Sequence, residues 1–292
     1  MMMESKNNIR ECRGNEADIA IEIRDVTKTY GKHRGISHLS FVVPKGDIFG
    51  FLGPNGAGKS TTIRCMLGML HFQKGEIRIL GMDAKKQTRE ILRKVGYMPS
   101  EAMFYPSMKV KDVIRLAVEA RKMNCDSEAR RICDLLDVDR EKRISELSLG
   151  NRKKVSIVCA MQHQPELLIL DEPTSGLDPL MQEVFFKLVL EQNARGTTCF
   201  LSSHVLSEVK RYCKNVAIIK EGELVKLDSV ENLLRSGIRQ VKVWQGGQER
   251  QFTYSGNARE LIRELDTMQV DDVLIEEPSL EELFIHYYQE EA

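Results

Sequence analysis

No stretch of this chain is both long and apolar. The longest apolar runs, such as Leu167-Leu168-Ile169-Leu170, are only a few residues, whereas a membrane-spanning helix needs about 20. No spanning helix is expected. An excess of one charge is also missing. The 43 Lys and Arg balance 43 Asp and Glu over 292 residues, which argues against a basic coat, so no nucleic-acid partner is expected. Paired cysteines are lacking too. Seven cysteines without a C-x-x-C pair fit reduced thiols and small buried hydrophobes better than a disulfide framework. The charges of residues 1–18 have no apolar stretch behind them, so no secretory signal is expected there. Internal repeats and low-complexity segments are absent from the sequence.

What remains is an ordinary globular composition, 42% hydrophobic and 29% charged, in a chain long enough for about two domains. Residues 1–18 are polar and form an expected flexible extension. Ile19 to Val26 alternates apolar and charged residues as a strand does, and Leu39 to Val43 reads likewise. Asp47 to Leu52 reads as a buried strand that breaks at Gly53-Pro54-Asn55-Gly56, with a helix expected from Ser60 to His71. Residues 87–95, 108–137 and 179–193 read as helical, and 167–170, 197–202 and 216–219 as strands. Strands alternating with helices predict an α/β core.

The last part differs. Residues 231–292 carry six Lys and Arg against 13 Asp and Glu, and a boundary is expected near 235. The acidity reads as a solvated face or, less simply, as a dimer or regulatory contact. Val241–Trp244 and Gln251–Tyr254 flank Gly246-Gly247, a hairpin pattern. A helix over 257–267 and a strand at Val273–Ile275 are expected next. Ser279 and Glu282 then form a capping-box pattern before Leu280, Leu283, Phe284 and Tyr287, one apolar helical face.

Gly53, Pro54, Asn55, Gly56, Ala57, Gly58, Lys59 and Ser60 match G-x-x-x-x-G-K-[ST] between an expected strand and an expected helix. Glycines let the backbone curl so that successive N–H groups face phosphate oxygens, and the helix adds its positive end. In such a loop the lysine, Lys59, reaches the β- and γ-phosphates and the hydroxyl of Ser60 ligates Mg²⁺. The run Leu167–Leu170 ends in Asp171 and Glu172. Carboxylates at the end of a buried strand are costly unless paired or metal-bound. Asp171 is placed to hold Mg²⁺ and Glu172 to accept a proton from an attacking water.

Further motifs stand in order around this pair. Leu147-Ser148-Leu149-Gly150-Asn151 precedes it, Ser175-Gly176-Leu177-Asp178 follows, and Leu201-Ser202-Ser203-His204 ends the next strand. With the phosphate loop, the set resembles the nucleotide-binding domains of ABC (ATP-binding cassette) ATPases over residues 19–235. The resemblance implies an α/β P-loop NTPase fold: an ABC-ATPase core with an antiparallel β subdomain and a helical subdomain near 101–160. A small C-terminal α+β domain, residues 236–292, is appended. It also implies ATP and Mg²⁺ as cofactors. Tyr30 matches the aromatic residue that stacks on adenine. Asn55, Gly56, Gly58, Lys59, Ser60 and Thr61 match the phosphate loop. Ser148 and Gly150 match the signature loop, which contacts ATP held by the opposite subunit. Asp178 matches the loop that communicates across the dimer, and His204 the switch histidine near the γ-phosphate. Helix N-capping by Ser148 is compatible with its role.

Two positions depart from the family pattern. The signature reads Leu-Ser-Leu-Gly-Asn instead of Leu-Ser-Gly-Gly-Gln, and Ser100 stands where a metal-sensing Gln is usual. Ser100 is shorter and would reach the metal through a bridging water, with neighbouring Glu101 as a substitute. In transporters of this family residues 101–112 meet the membrane subunit. Phe104 and Tyr105 serve there as anchors or pack inside the helical subdomain. The resemblance thus implies a homodimer around two ATP driving a separate integral-membrane permease from the cytoplasmic face of the membrane. The ending Pro-Ser-Leu-Glu-Glu-Leu-Phe is similar to that of exporter subunits for drugs, peptide antibiotics or lipids. The alternative is a soluble ABC ATPase acting on ribosomes or other cytosolic partners. Such proteins usually join two cassettes, and only one phosphate loop is present.

Overall fold

The computed structural model describes residues 18–31, 33–119, 121–234 and 238–276. Strand β3 (Ile48–Leu52) shows why its sequence is apolar without alternation: it is covered on both faces. Phe49 and Phe51 face one core, where they meet Phe41 and Phe200 with ring centroids 5.3 to 6.3 Å apart. Ile48 and Leu52 face the other core. Strand β7 (Leu167–Asp171) divides in the same way, Leu167 and Ile169 to the first core, Leu168 and Leu170 to the second. Each buried Phe or Leu of this kind contributes about 1.5–3 kcal/mol.

The first core lies under an antiparallel sheet of β1 (Ile19–Tyr30), β2 (His33–Pro44), β4 (Lys74–Ile79) and β5 (Met82–Asp83), in the order β2-β1-β4-β5. Its other wall is a six-stranded sheet that adds β6 (Val95–Met98), β8 (Thr198–Ser203), β9 (Asn215–Lys220) and β10 (Glu223–Ser229), in the order β10-β9-β3-β8-β7-β6. All neighbours in it are parallel except β9 and β10. The second core lies beneath helices, α3 (Val110–Glu119), α4 (Asp126–Leu135), α5 (Leu149–Met161) and α6 (Pro179–Ala194) among them.

Two helices are shorter than the pattern predicts. Helix α1 (Lys59–Met66) stops before the expected His71 because Gly68 takes φ +67° and its N–H returns to the Cys65 carbonyl at 3.1 Å. The helical stretch expected over 108–137 is broken into α3 and α4. Between them Lys122 is left-handed at φ 55° and the Asn124 side chain accepts the Asp126 N–H at 3.2 Å. Short helices α2 (Thr88–Lys94), α7 (Leu206–Tyr212) and α8 (Val230–Leu234) connect strands.

Beyond residue 237, β11 (Ile238–Gln245) and β12 (Gln248–Ser255) form a hairpin about Gly246-Gly247, and β13 (Asp272–Glu276) pairs with the other side of β11. Helix α9 (Ala258–Met268), capped by Asn257, packs Leu261 and Leu265 against Val241 and Val243. The final helix expected from Ser279, and the extension expected before Asp18, lie outside the described residues. Among the described residues no helix is long and apolar enough to cross a membrane.

Candidate active site

The phosphate loop connects β3 to α1. Gly58 caps the helix at φ 103°, and a Cβ there would sit 2.8 Å from the Gly35 carbonyl oxygen, so both conformation and space require glycine. Lys59 opens the helix and is buried. Its Nζ donates to the carbonyls of Gly53 (2.6 Å) and Pro54 (3.2 Å). The loop borders a cavity of about 280 Å³ lined by Pro54, Asn55, Gly56, Gly58, Ser60 and Thr61. Lys59, Gly35, Ser100 and Glu172 complete its wall. Ala57 is buried away from that wall, and its carbonyl accepts the Gly222 N–H at 2.9 Å, anchoring the loop to the β9–β10 turn.

The end of β7 supplies the opposite side. Asp171 is buried and accepts the Ser202 hydroxyl at 3.0 Å. Glu172 follows with φ 48°, a left-handed conformation that is unfavourable for a residue with a side chain. Its N–H donates to the Ser202 carbonyl at 3.0 Å. Its Oε1 lies 3.0 Å from Lys59 Nζ, an ion pair without hydrogen-bond geometry. Its Oε2 lies 2.6 Å from Nδ1 of the half-exposed His204. A lysine, a carboxylate and a histidine from three separate segments therefore meet at one end of the parallel sheet, beside a helix N-terminus suited to phosphate.

The chain matches the ABC transporter family model over residues 36–175. It is 39% identical over 213 residues to the bacitracin transport ATP-binding protein BcrA of Bacillus licheniformis, covering 70% of this chain and 68% of that one. It is 32% identical over 292 residues to the ABC transporter ATP-binding protein YhaQ of Bacillus subtilis, covering 91% and 97%. The chain belongs to the ATP-binding proteins of ABC transporters. A solved structure of an ATP-binding subunit of an ABC transporter matches with a TM-score of 0.69 and 30% identity, over 74% of this chain and 92% of that one. The transporter ATPase thus has the cassette fold, and its reaction is ATP hydrolysis coupled to transport.

Eight expected site residues of this ABC subunit do not line the cavity: Tyr30, Gly53, Ala57, Asp171 and His204, and with them Ser148, Gly150 and Asp178. Ser148 caps α5 by accepting the Asn151 N–H at 3.3 Å, and Asp178 caps α6 by accepting the Met181 N–H at 3.1 Å. Gly150 abuts the loop before α6, where a Cβ would lie 2.9 Å from the Gly176 carbonyl oxygen. Tyr30 packs beside Gly35, a lining residue, whose added Cβ would lie 3.1 Å from its ring. Ser100 lines the cavity, whereas Phe104 packs against the second core and Tyr105 is exposed.

Sequence reasoning missed two residues of the ABC site. Gly35 lies inside β2, and its only signal is a lone glycine in a strand, a mark of close approach. Lys153 lies buried in α5 and donates through Nζ to the carbonyls of Ser100 (2.7 Å) and Glu172 (2.8 Å). Burial pushes its pKa below the usual lysine range, against the opposing pull of Asp171, Glu172 and Glu101. In sequence it stands within Arg152-Lys153-Lys154, which resembles a solvated charge run.

Proposed function

We propose that two copies of the subunit close around two ATP molecules and drive a separate membrane permease. The observation that carries this is the division of the site. Lys59 and Glu172 line the cavity, while Ser148 and Asp178 turn their side chains to the starts of α5 and α6, which supports a second copy bringing a signature loop to each nucleotide. In this reading Tyr30 stacks on adenine, and the loop from Gly53 through Ala57 and Gly58 to Thr61 wraps the phosphates. The N–H and hydroxyl at the start of the partner's α5 meet the γ-phosphate.

The carboxylate of Asp171 and the hydroxyl of Ser60 are hard oxygen donors of the kind Mg²⁺ takes. Among the described residues no group of three or more His, Cys, Asp or Glu could hold a metal. Two protein oxygens fit an ion that shares its shell with nucleotide phosphates and water. When bound, Mg²⁺ neutralises charge on the phosphates. Ser100 would reach that shell only through water. Glu172 accepts a proton from the attacking water, and His204 holds the carboxylate in place. Lys59 offers its ammonium to the β- and γ-phosphates.

Residues 19–235 act as the ATPase domain, with a helical subdomain near 101–160 that meets the permease, and 236–292 as an accessory domain. The subunit lies at the cytoplasmic face of the membrane through the permease. The likeness to the bacitracin transport ATP-binding protein of Bacillus licheniformis supports export of drugs, peptide antibiotics or lipids. Affinity purification from detergent-solubilised native membranes tests the reading. Recovery of a multi-span membrane protein is expected. Recovery of ribosomes, or of soluble proteins alone, would overturn it in favour of a soluble ABC ATPase.

A further inference from the structure

Two carbonyls of the active site share one buried cation. Lys153 is 2% exposed, and the charges of Asp171, Glu172 and Glu101 do not offset the cost of burying it. Its Nζ spends its hydrogen bonds on the main chain of Ser100 (2.7 Å) and Glu172 (2.8 Å). Burying an ammonium is costly even with the partial compensation of those charges, and an apolar side chain of similar length would fill the space without that cost. The charge therefore does something that packing alone would not. The Glu172 peptide shows what it is. The left-handed conformation at φ 48° is held from both sides, by the Glu172 N–H on the Ser202 carbonyl (3.0 Å) and by Lys153 on the Glu172 carbonyl. Those bonds aim the Glu172 side chain between Lys59 and His204.

Lys153 stands on α5, the helix capped by Ser148. A helix transmits displacement rigidly over so short a distance, so a shift at Ser148 reaches both carbonyls through one side chain. We propose that Lys153 is a positioning residue for hydrolysis, a clip that ties the Glu172 backbone and the loop at Ser100 to the helix beginning at Ser148. The proposal rests on the reading of Glu172 as base and Ser148 as the contact to the second copy's ATP. It adds a link within one chain between the place where the partner's nucleotide is sensed and the place where water is activated.

The test is steady-state ATP hydrolysis, ATP binding and thermal melting of the full-length chain carrying Lys153→Met, Lys153→Gln or Glu172→Gln. Because a misplacement of 1 Å can cost about 10²-fold, Lys153→Met is expected to lower kcat by about tenfold or more with ATP affinity within about twofold. Lys153→Gln keeps two N–H donors and is expected to recover part of the loss. Wild-type kcat in folded Lys153→Met would overturn the proposal. So would a parallel fall of ATP affinity and kcat in both variants, or a failure of both to fold, which would give Lys153 a purely structural role. If Glu172→Gln itself retains turnover, the reading of the base fails first and separately.

Discussion

Glu172 faces His204 across 2.6 Å, Oε2 to Nδ1, while its other carboxylate oxygen lies 3.0 Å from Lys59 Nζ. The two neighbours stand on different elements, one just beyond β8 and one at the start of α1. The carboxylate is therefore oriented from two directions, as a base that must meet a water at a defined point requires.

The pairing makes a prediction about non-additivity. Glu172→Gln is expected to lower kcat by about 10²–10⁴-fold, the usual worth of a positioned base. His204→Ala, which frees the carboxylate to rotate, is expected to lower it by about 10²-fold. If His204 acts through Glu172, as proposed, the double variant should be no slower than Glu172→Gln. Phosphate release from the three variants decides this. A double variant slowed by the product of the two single effects would assign His204 an independent role.

Magnesium removal separates binding from chemistry. In the proposed reading, Lys59 and the loop N–H groups reach phosphates without a metal, whereas Ser60 and Asp171 act through one. Chelation by EDTA is expected to abolish phosphate release while leaving measurable ATP binding, and Asp171→Asn should do the same with Mg²⁺ present. Calorimetric titration of ATP, run beside the hydrolysis assay, checks it. Full turnover in EDTA would remove the metal from the site.

The parts of this site that were legible in the sequence are the parts built from neighbours along the chain. Gly53 to Thr61 form one turn between a strand and a helix, so their spacing alone announces the loop. Asp171 and Glu172 end a run whose lack of alternation reports burial on both faces of β7. Lys153 was illegible because its meaning is tertiary. Carbonyls 53 and 19 residues away along the chain converge on its Nζ, and no periodicity records such a meeting. The break between α3 and α4 was missed for a local reason. Apolar residues keep helical spacing across it, and only Asn124, bonding its side chain to the next helix start, marks the stop. Phe104 and Tyr105 are adjacent and similar in composition, so only the fold could separate the packed residue from the exposed one.

His163 predicts an acid-sensitive stability. It is buried after α5, and its Nε2 donates to the Val95 carbonyl at 3.3 Å. Burial, aided by the nearby charge of Arg121, pushes its pKa from the ordinary 6.5 to about 4. Above 6.5 the ring is neutral in both folded and unfolded chains and contributes no pH dependence. As the pH falls below 6.5, the unfolded chain takes up a proton that the folded chain refuses until about 4, so stability drops through that window. The shift corresponds to a loss of about 2 kcal/mol between about pH 7.5 and about pH 5. His163→Leu removes the titrating ring and should flatten this part of the curve, whatever it does to stability at neutral pH. Urea unfolding of both proteins at the two pH values measures the difference. If both proteins lose the same stability on acidification, His163 does not carry the effect, and the carboxylates that titrate in the same range must account for it.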